Sequence, residues 1–165
     1  MSIFRKLKDK FKKDKILVLA EKYNAAECFI KAISPKGYSR HDGYFETDEF
    51  VITWSEGHLC VLYNPEDYDP NYKKWSFDDL PIIPNGFWVK VRAEGKKQRQ
   101  FKIIKDLIQR EDIKSVAIGT DSGREGTLIG WYILITAENK KPVQRLSINA
   151  LTQKDIIQGF KKIKP

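Results

Sequence analysis

Charged side chains follow two apolar runs of the sequence, and their types suit chemistry on a phosphate ester. Glu21 and Lys22 come directly after the run ILVLA, and Asp121, Arg124 and Glu125 follow the run SVAIG. Clustered carboxylates repel one another, so near neutral pH they are stabilised by a cation or by a shared proton. We therefore expect a hard divalent ion such as Mg²⁺, which prefers oxygen ligands, at Asp121 and Glu125.

The other charged residues would share this pocket if the two apolar runs are neighbouring strands. In open α/β sheets, ligands bind at the carboxyl ends of the strands, where the loops converge. Glu21, whose proton is favoured by neighbouring carboxylates, would serve as a general acid or base and as a third candidate ligand. Lys22 and Arg124 would bind a phosphate.

The segment IGTDSGREGTL, residues 118–128, leaves two alternatives to a metal site. Its glycine spacing fits neither GxGxxG nor GxxxxGK[ST], which argues against a nucleotide-binding loop. The second alternative, a purely structural turn, is not excluded. In it, Asp121 would cap the next helix, and Arg124 and Glu125 would lie in solvent.

The elements that must position these residues alternate between strand and helix patterns, which predicts an α/β fold with a mainly parallel sheet. The predicted strands are 16–20, 115–119 and 143–149, with antiparallel strands in 43–62 around a turn at 46–48. The predicted helices are 24–33 with Asn24 as N-cap, 98–110, one carrying Leu128 to Ile135, and 152–160 with Thr152 as cap. Residues 64–84 hold four of the seven prolines and read as a long ordered excursion.

Composition indicates a globular protein with a polyanionic partner. The chain has 165 residues, 41% of them hydrophobic, and a net charge of +8. Nucleic acid is the commonest such partner, and an anionic membrane surface is the rival. Residues 1–14 form a basic leader in which Ile3, Phe4, Leu7 and Phe11 have helical spacing. The sequence has no apolar run long enough to span a membrane and no cysteine pattern typical of disulfides or zinc, so we expect a cytoplasmic protein.

Several motifs, in order, resemble the TOPRIM domain of type IA DNA topoisomerases, and most closely that of bacterial and plasmid topoisomerase III. They are LVLAEKYNAAECFIKAI, VITWSEGHLCVL, YDPNYKKWSFDDLPIIP, TDSGREGTLI and RLSINALTQKDIIQGF. The resemblance covers residues 15–165. It implies a Rossmann-like fold with a mainly parallel sheet flanked by helices and an inserted antiparallel hairpin region.

The resemblance also implies roles for individual residues. Glu21 matches the catalytic glutamate and Lys22 the lysine that contacts the scissile phosphate. Asp121 and Glu125 match the first and third acids of the Mg²⁺ site, for which Mn²⁺ is an alternative. Two more catalytic candidates are the arginine between those acids, Arg124, and the histidine of the Gly-His-Leu segment, His58.

The sequence departs from the family pattern at three positions. Gly123 stands at the second acid, Thr127 at the final glutamate and Tyr23 at the proline after Glu-Lys. With fewer negative ligands, Mg²⁺ should bind weakly. The family's nucleophilic tyrosine belongs to a separate domain, and none of the seven tyrosines here has the expected setting.

The resemblance therefore implies the acid, phosphate and Mg²⁺ half of a topoisomerase active site, acting on single-stranded or underwound DNA. Whether the chain is an enzyme by itself stays open, because relaxation would require the tyrosine-bearing remainder of a type IA enzyme. Two other functions are open: a DNA-binding module without catalysis, and a TOPRIM-type metal-dependent nuclease in which water replaces the tyrosine.

Overall fold

The computed structural model describes residues 13–163, and its centre is a six-stranded sheet. In chain order the strands of this sheet are β1 (Lys15–Ala20), β2 (Ser39–His41), β3 (Tyr44–Glu46), β4 (Phe50–Trp54), β7 (Ile113–Gly119) and β8 (Val143–Arg145). Strands β5 (Cys60–Leu62) and β6 (Val89–Val91) form a separate antiparallel hairpin. The spatial order is β2-β3-β4-β1-β7-β8. Strand β1 pairs in parallel with β4 and β7, and β7 pairs in parallel with β8, whereas β2, β3 and β4 are antiparallel. The predicted mainly parallel central sheet with an antiparallel hairpin region is confirmed.

Within residues 13–163, five α-helices accompany the strands. They are α1 (Tyr23–Ile33), α2 (Pro65–Tyr68), α3 (Gly95–Gln109), α4 (Arg124–Thr136) and α5 (Gln153–Phe160). Short 3₁₀ turns at Pro70–Lys74 and Phe77–Asp79 extend the excursion between β5 and β6. No helix within residues 13–163 has the length and apolar character needed to cross a membrane.

Strand β1 is buried on both faces because successive side chains point to opposite sides of the sheet. Ile16 and Val18 pack in a cluster with residues of α1 and α5. Leu17 and Leu19 pack in a second cluster with residues of α3 and α4. This two-sided core explains the continuous apolar run, which is typical of central parallel strands.

Two predicted details are wrong. Asn24 does not cap α1, because that helix starts one residue earlier, with Lys22 at the N-cap and no side-chain capping bond. The strand predicted at 143–149 ends at Arg145. Beyond it, the Leu146 amide donates to the Ile118 carbonyl at 3.0 Å, and the chain then crosses the carboxyl end of the sheet.

The cap of the last helix is confirmed, since the Thr152 hydroxyl accepts a hydrogen bond from the Asp155 amide at 3.2 Å. The helical spacing noted in the basic leader lies outside the described residues.

The excursion between β5 and β6 exposes large apolar side chains. Phe77 is 89% exposed, Ile83 77% and Phe87 75%. All three side chains belong to one segment of the chain, and large exposed apolar groups in one segment are a candidate interaction surface.

Candidate active site

The two charged strand ends lie side by side. Strands β1 and β7 are neighbours in register, with Ala20 opposite Gly119. The Asp121 amide donates a hydrogen bond to Glu21 Oε2 at 3.2 Å. The predicted convergence of Glu21 with the acidic loop, residues 120–123, is therefore present, and the contact joins residues 100 positions apart.

The segment that follows β4 fixes the backbone of Glu21. The Ser55 amide donates to the Ala20 carbonyl at 3.1 Å, and the Ser55 hydroxyl donates to the Glu21 carbonyl at 2.7 Å. The Gly57 amide reaches the same carbonyl at 3.3 Å. Three strand ends, those of β1, β4 and β7, thus build one side of the site.

A left-handed turn after β4 delivers His58 to the acidic residues. Glu56 and Gly57 have φ values of +48° and +73°, a conformation that glycine adopts readily and other residues rarely. His58 Nε2 then lies 3.0 Å from Glu125 Oε1. The Glu125 side chain is otherwise 81% exposed. The histidine predicted near the site therefore contacts Glu125, one of the three predicted metal ligands.

The acidic loop is closed tightly onto the first turn of α4. The Thr120 hydroxyl donates to the Gly126 carbonyl at 2.6 Å. A Cβ added to Gly126 would lie 2.3 Å from the Asp121 carbonyl oxygen, so only glycine fits there without movement. The N-cap of α4 is Gly123 and receives no side-chain capping bond, which excludes Asp121 as the helix cap.

Both side chains predicted to bind phosphate, those of Lys22 and Arg124, are unpaired among the described residues. Lys22 and Arg124 are exposed, and within residues 13–163 neither side chain forms a hydrogen bond or an ion pair. Lys22 and Glu21 line an open cavity of about 540 Å³ together with Asp121 and with Asn149, which lies in the segment after β8. The cavity joins carboxylates and a free ammonium group, a combination suited to a phosphate ester and its counter-ion.

The donor set has the right chemistry for Mg²⁺ but is not preassembled. Glu21, Asp121 and Glu125 supply carboxylate oxygens, the ligands that this ion prefers. Nowhere in the part of the chain that the structure describes do three acidic, histidine or cysteine side chains converge on one point. An ion bound here would therefore keep several waters or take oxygens from a substrate phosphate.

Tyr23 is engaged elsewhere. Its hydroxyl donates to Glu27 Oε1 at 3.0 Å and accepts from Arg40 at 3.1 Å, and its ring packs edge-on against Trp54. The hydrogen bond to Glu27 raises the pKa of Tyr23, which disfavours the phenolate needed for nucleophilic attack. Trp54 is itself a buried core residue.

Residues 16–151 match the family model described as the Toprim domain, and the chain belongs to that family. Its sequence is similar to the corresponding region of DNA topoisomerase 3 proteins. It is 45% identical over 150 residues to DNA topoisomerase 3 of Staphylococcus haemolyticus (strain JCSC1435) and 43% identical over 150 residues to that of Staphylococcus aureus (strain USA300).

These alignments cover 91% of this chain but only 20% of either relative. A solved structure supports the fold: full-length topoisomerase I from Thermotoga maritima matches with a TM-score of 0.55 at 17% identity, over 88% of this chain and 20% of that chain. At that identity the likeness bears on the fold alone.

Sequence reasoning missed three residues that hold the site together: Ser55, Thr120 and Arg145. Arg145 donates to the Thr120 hydroxyl and to the carbonyl oxygens of Thr120 and Asp121. A charged residue inside the strand pattern VQRL was the available signal. The pattern could not indicate which loop that residue contacts.

Proposed function

We propose that this chain supplies the acidic, phosphate-binding half of a type IA topoisomerase active site, for cleavage and religation of a single DNA strand. One observation carries the proposal: the hydrogen bond between Asp121 and Glu21 joins two charged strand ends in one cavity. That arrangement places a candidate general acid beside candidate metal ligands and a free cation, at the edge of the sheet where α/β folds bind ligands.

Each side chain has a role that its surroundings support. Glu21, half-buried at the cavity, would hold or release the proton of the leaving ribose oxygen. Lys22 and Arg124, both unpaired among the described residues, would bind the phosphate oxygens and balance developing negative charge. His58 would orient Glu125 through their 3.0 Å contact.

Asp121 and Glu125, with Glu21 nearby, would hold Mg²⁺ or Mn²⁺ weakly. The ion would polarise the phosphate and offset its charge. Gly123 and Thr127 contribute no carboxylate at the positions where the family has acids, which is why we expect weak binding in the absence of DNA.

The nucleophile would come from a tyrosine-bearing partner region. The chain spans 20% of the length of the relatives it matches, and the Tyr23 hydroxyl is occupied by Glu27 and Arg40. The exposed apolar side chains of the excursion, led by Phe77, support docking against further protein. We expect single-stranded or underwound DNA as substrate and the cytoplasm as location, and we expect no relaxation by this chain alone.

The test compares the wild type with Glu21→Gln and with a control, Glu111→Gln. Glu111 is exposed and lies before β7, so its variant makes the same charge change at the opposite end of the sheet. Each protein is incubated with Mg²⁺ or Mn²⁺ and supercoiled or single-stranded DNA, alone and together with a topoisomerase 3 fragment that carries the tyrosine.

Relaxation that appears only in the mixture, and that Glu21→Gln removes while Glu111→Gln retains it, is the expected result. Nicking by the wild type alone that requires Glu21 would favour a nuclease instead. Salt-sensitive DNA binding with no cleavage in either setting would favour a binding module, for which the net charge of +8 is the supporting observation.

A further inference from the structure

Arg145 reaches the acidic loop from a neighbouring strand. It is the last residue of β8 and pairs with Ile118 of β7, two residues before the loop begins. One guanidinium nitrogen donates to the Thr120 hydroxyl at 3.1 Å. The other donates to the Thr120 carbonyl at 2.8 Å and to the Asp121 carbonyl at 2.5 Å.

Together with two further hydrogen bonds, these bonds hold the backbone at Thr120 and Asp121. The Thr120 hydroxyl, which accepts from Arg145, donates a hydrogen bond to the Gly126 carbonyl of α4 at 2.6 Å. The Asp121 amide donates to Glu21 Oε2 at 3.2 Å. The loop is thus tied to β8, to α4 and to the end of β1 through consecutive residues.

The chemistry of the guanidinium suits this task better than an ammonium group would. Its planar fork offers donors in fixed directions, so two nitrogens can bind three oxygens of two successive residues at once. It also stays protonated at every physiological pH, so the tie does not switch with pH. Lysine would keep the charge but lose the fork.

We infer that Arg145 is a positioning residue of this site, one that holds the backbone of Asp121, whose amide donates to Glu21, and thereby positions the Asp121 carboxylate. The functional consequence rests on the proposed function, in which the Asp121 carboxylate would bind the metal ion. Arg145 itself touches neither reacting group. It acts through two carbonyl oxygens and one hydroxyl.

Hydrogen exchange measured by mass spectrometry tests the geometric part without any metal or DNA. Arg145→Lys, Arg145→Gln and Arg145→Ala are compared with Arg110→Lys. Arg110 is the matched control, because it also makes forked bonds, to Glu46 and Asp112, but away from the acidic loop. Peptides covering residues 119–126 should exchange about tenfold faster or more in all three Arg145 variants, since each variant loses the forked set of three guanidinium hydrogen bonds. In Arg110→Lys those peptides should keep the wild-type rate.

Titration with Mg²⁺ or Mn²⁺ by calorimetry then tests the consequence. Affinity should fall by about ten- to a hundredfold in Arg145→Lys, the range typical of residues that orient a ligand, and should not change in Arg110→Lys. Unchanged exchange at 119–126 in Arg145→Ala, or full restoration by lysine, would overturn the inference. If Arg145→Ala does not fold, the Lys and Gln variants decide. Should the wild type bind no metal, the metal part of the proposed function fails, while the exchange comparison still decides the role of Arg145.

Discussion

Gly126 offers a direct test of how tightly the acidic loop is built, because a single methyl group would collide with backbone rather than with a side chain. In Gly126→Ala the new Cβ would lie 2.3 Å from the Asp121 carbonyl oxygen and 2.9 Å from the Asp121 amide nitrogen. Ordinary contacts begin near 3.4 Å, so the loop must move by about 1 Å. The hydrogen bond from the Asp121 amide to Glu21, already 3.2 Å long, would not survive that movement.

Two opposed effects determine how much stability Gly126→Ala should lose. Overpacking of a tight contact costs about 1–3 kcal/mol, and we expect the upper half of that range because no side-chain rotation relieves a clash with backbone. Replacing glycine by alanine inside a helix returns about 1 kcal/mol. The net loss of about 1–2 kcal/mol should lower Tm by about 2–8 °C in a domain of this size.

Gly130→Ala is the control, since this buried helical glycine also has a neighbour too close for a Cβ. Its neighbour is the Ile118 Cγ2 methyl at 2.6 Å, which belongs to a side chain that can rotate. Both variants should lose stability in thermal unfolding, but only Gly126→Ala should shift the NMR resonance of the Asp121 amide. A Gly126→Ala protein with wild-type Tm and an unmoved Asp121 resonance would refute the tight-loop reasoning.

Two further predictions concern groups distant from the site. Burial alone would raise the pKa of Glu46, but hydrogen bonds from Arg110 and Lys15 outweigh this effect and lower the pKa to about 2. The ionised Glu46 carboxylate therefore stabilises the fold at pH values above its unfolded pKa, near 4.5. This contribution is lost as the pH falls toward 2. Glu46→Gln should therefore lower the free energy of unfolding at pH 7 by up to about 3 kcal/mol and flatten its loss between pH 4.5 and 2, as urea titrations at several pH values will check; an unchanged acid profile would contradict this. Burial also raises the pKa of Cys60 to about 11, so iodoacetamide at pH 8 should label Cys60 only after denaturation, and rapid labelling of native protein, read by mass spectrometry, would contradict the buried position.

The main elements of the fold could be predicted because their signals are local. The run at 16–20 is apolar on both faces of the strand, and the structure buries both faces. The Thr152 cap was likewise predictable, since it depends on residues three apart. Asn24 failed as a cap because α1 starts at Tyr23 without any side-chain cap, so the local preference was not used.

The charged residues of the site could also be named in advance, but their contacts could not. That Glu21 meets the Asp121 loop followed from the general rule that ligands bind at carboxyl ends of parallel strands. The contact between His58 and Glu125 depends on the left-handed turn at Glu56 and Gly57, which no periodicity indicates.

The sequence by itself determined the central strands and the main helices, which strand ends carry acids and bases, and to which family the motifs are similar. Only the tertiary structure decided that Arg145 closes the acidic loop and that β8 stops there to let the chain cross the cavity. The physical reason is that apolar periodicity specifies which face of an element is buried, whereas a polar contact depends on which loops meet once the sheet is assembled. Lys22 and Arg124 illustrate the same difference between sequence and structure. The sequence shows that they are charged, whereas the fold decides that their side chains have no partner among the described residues.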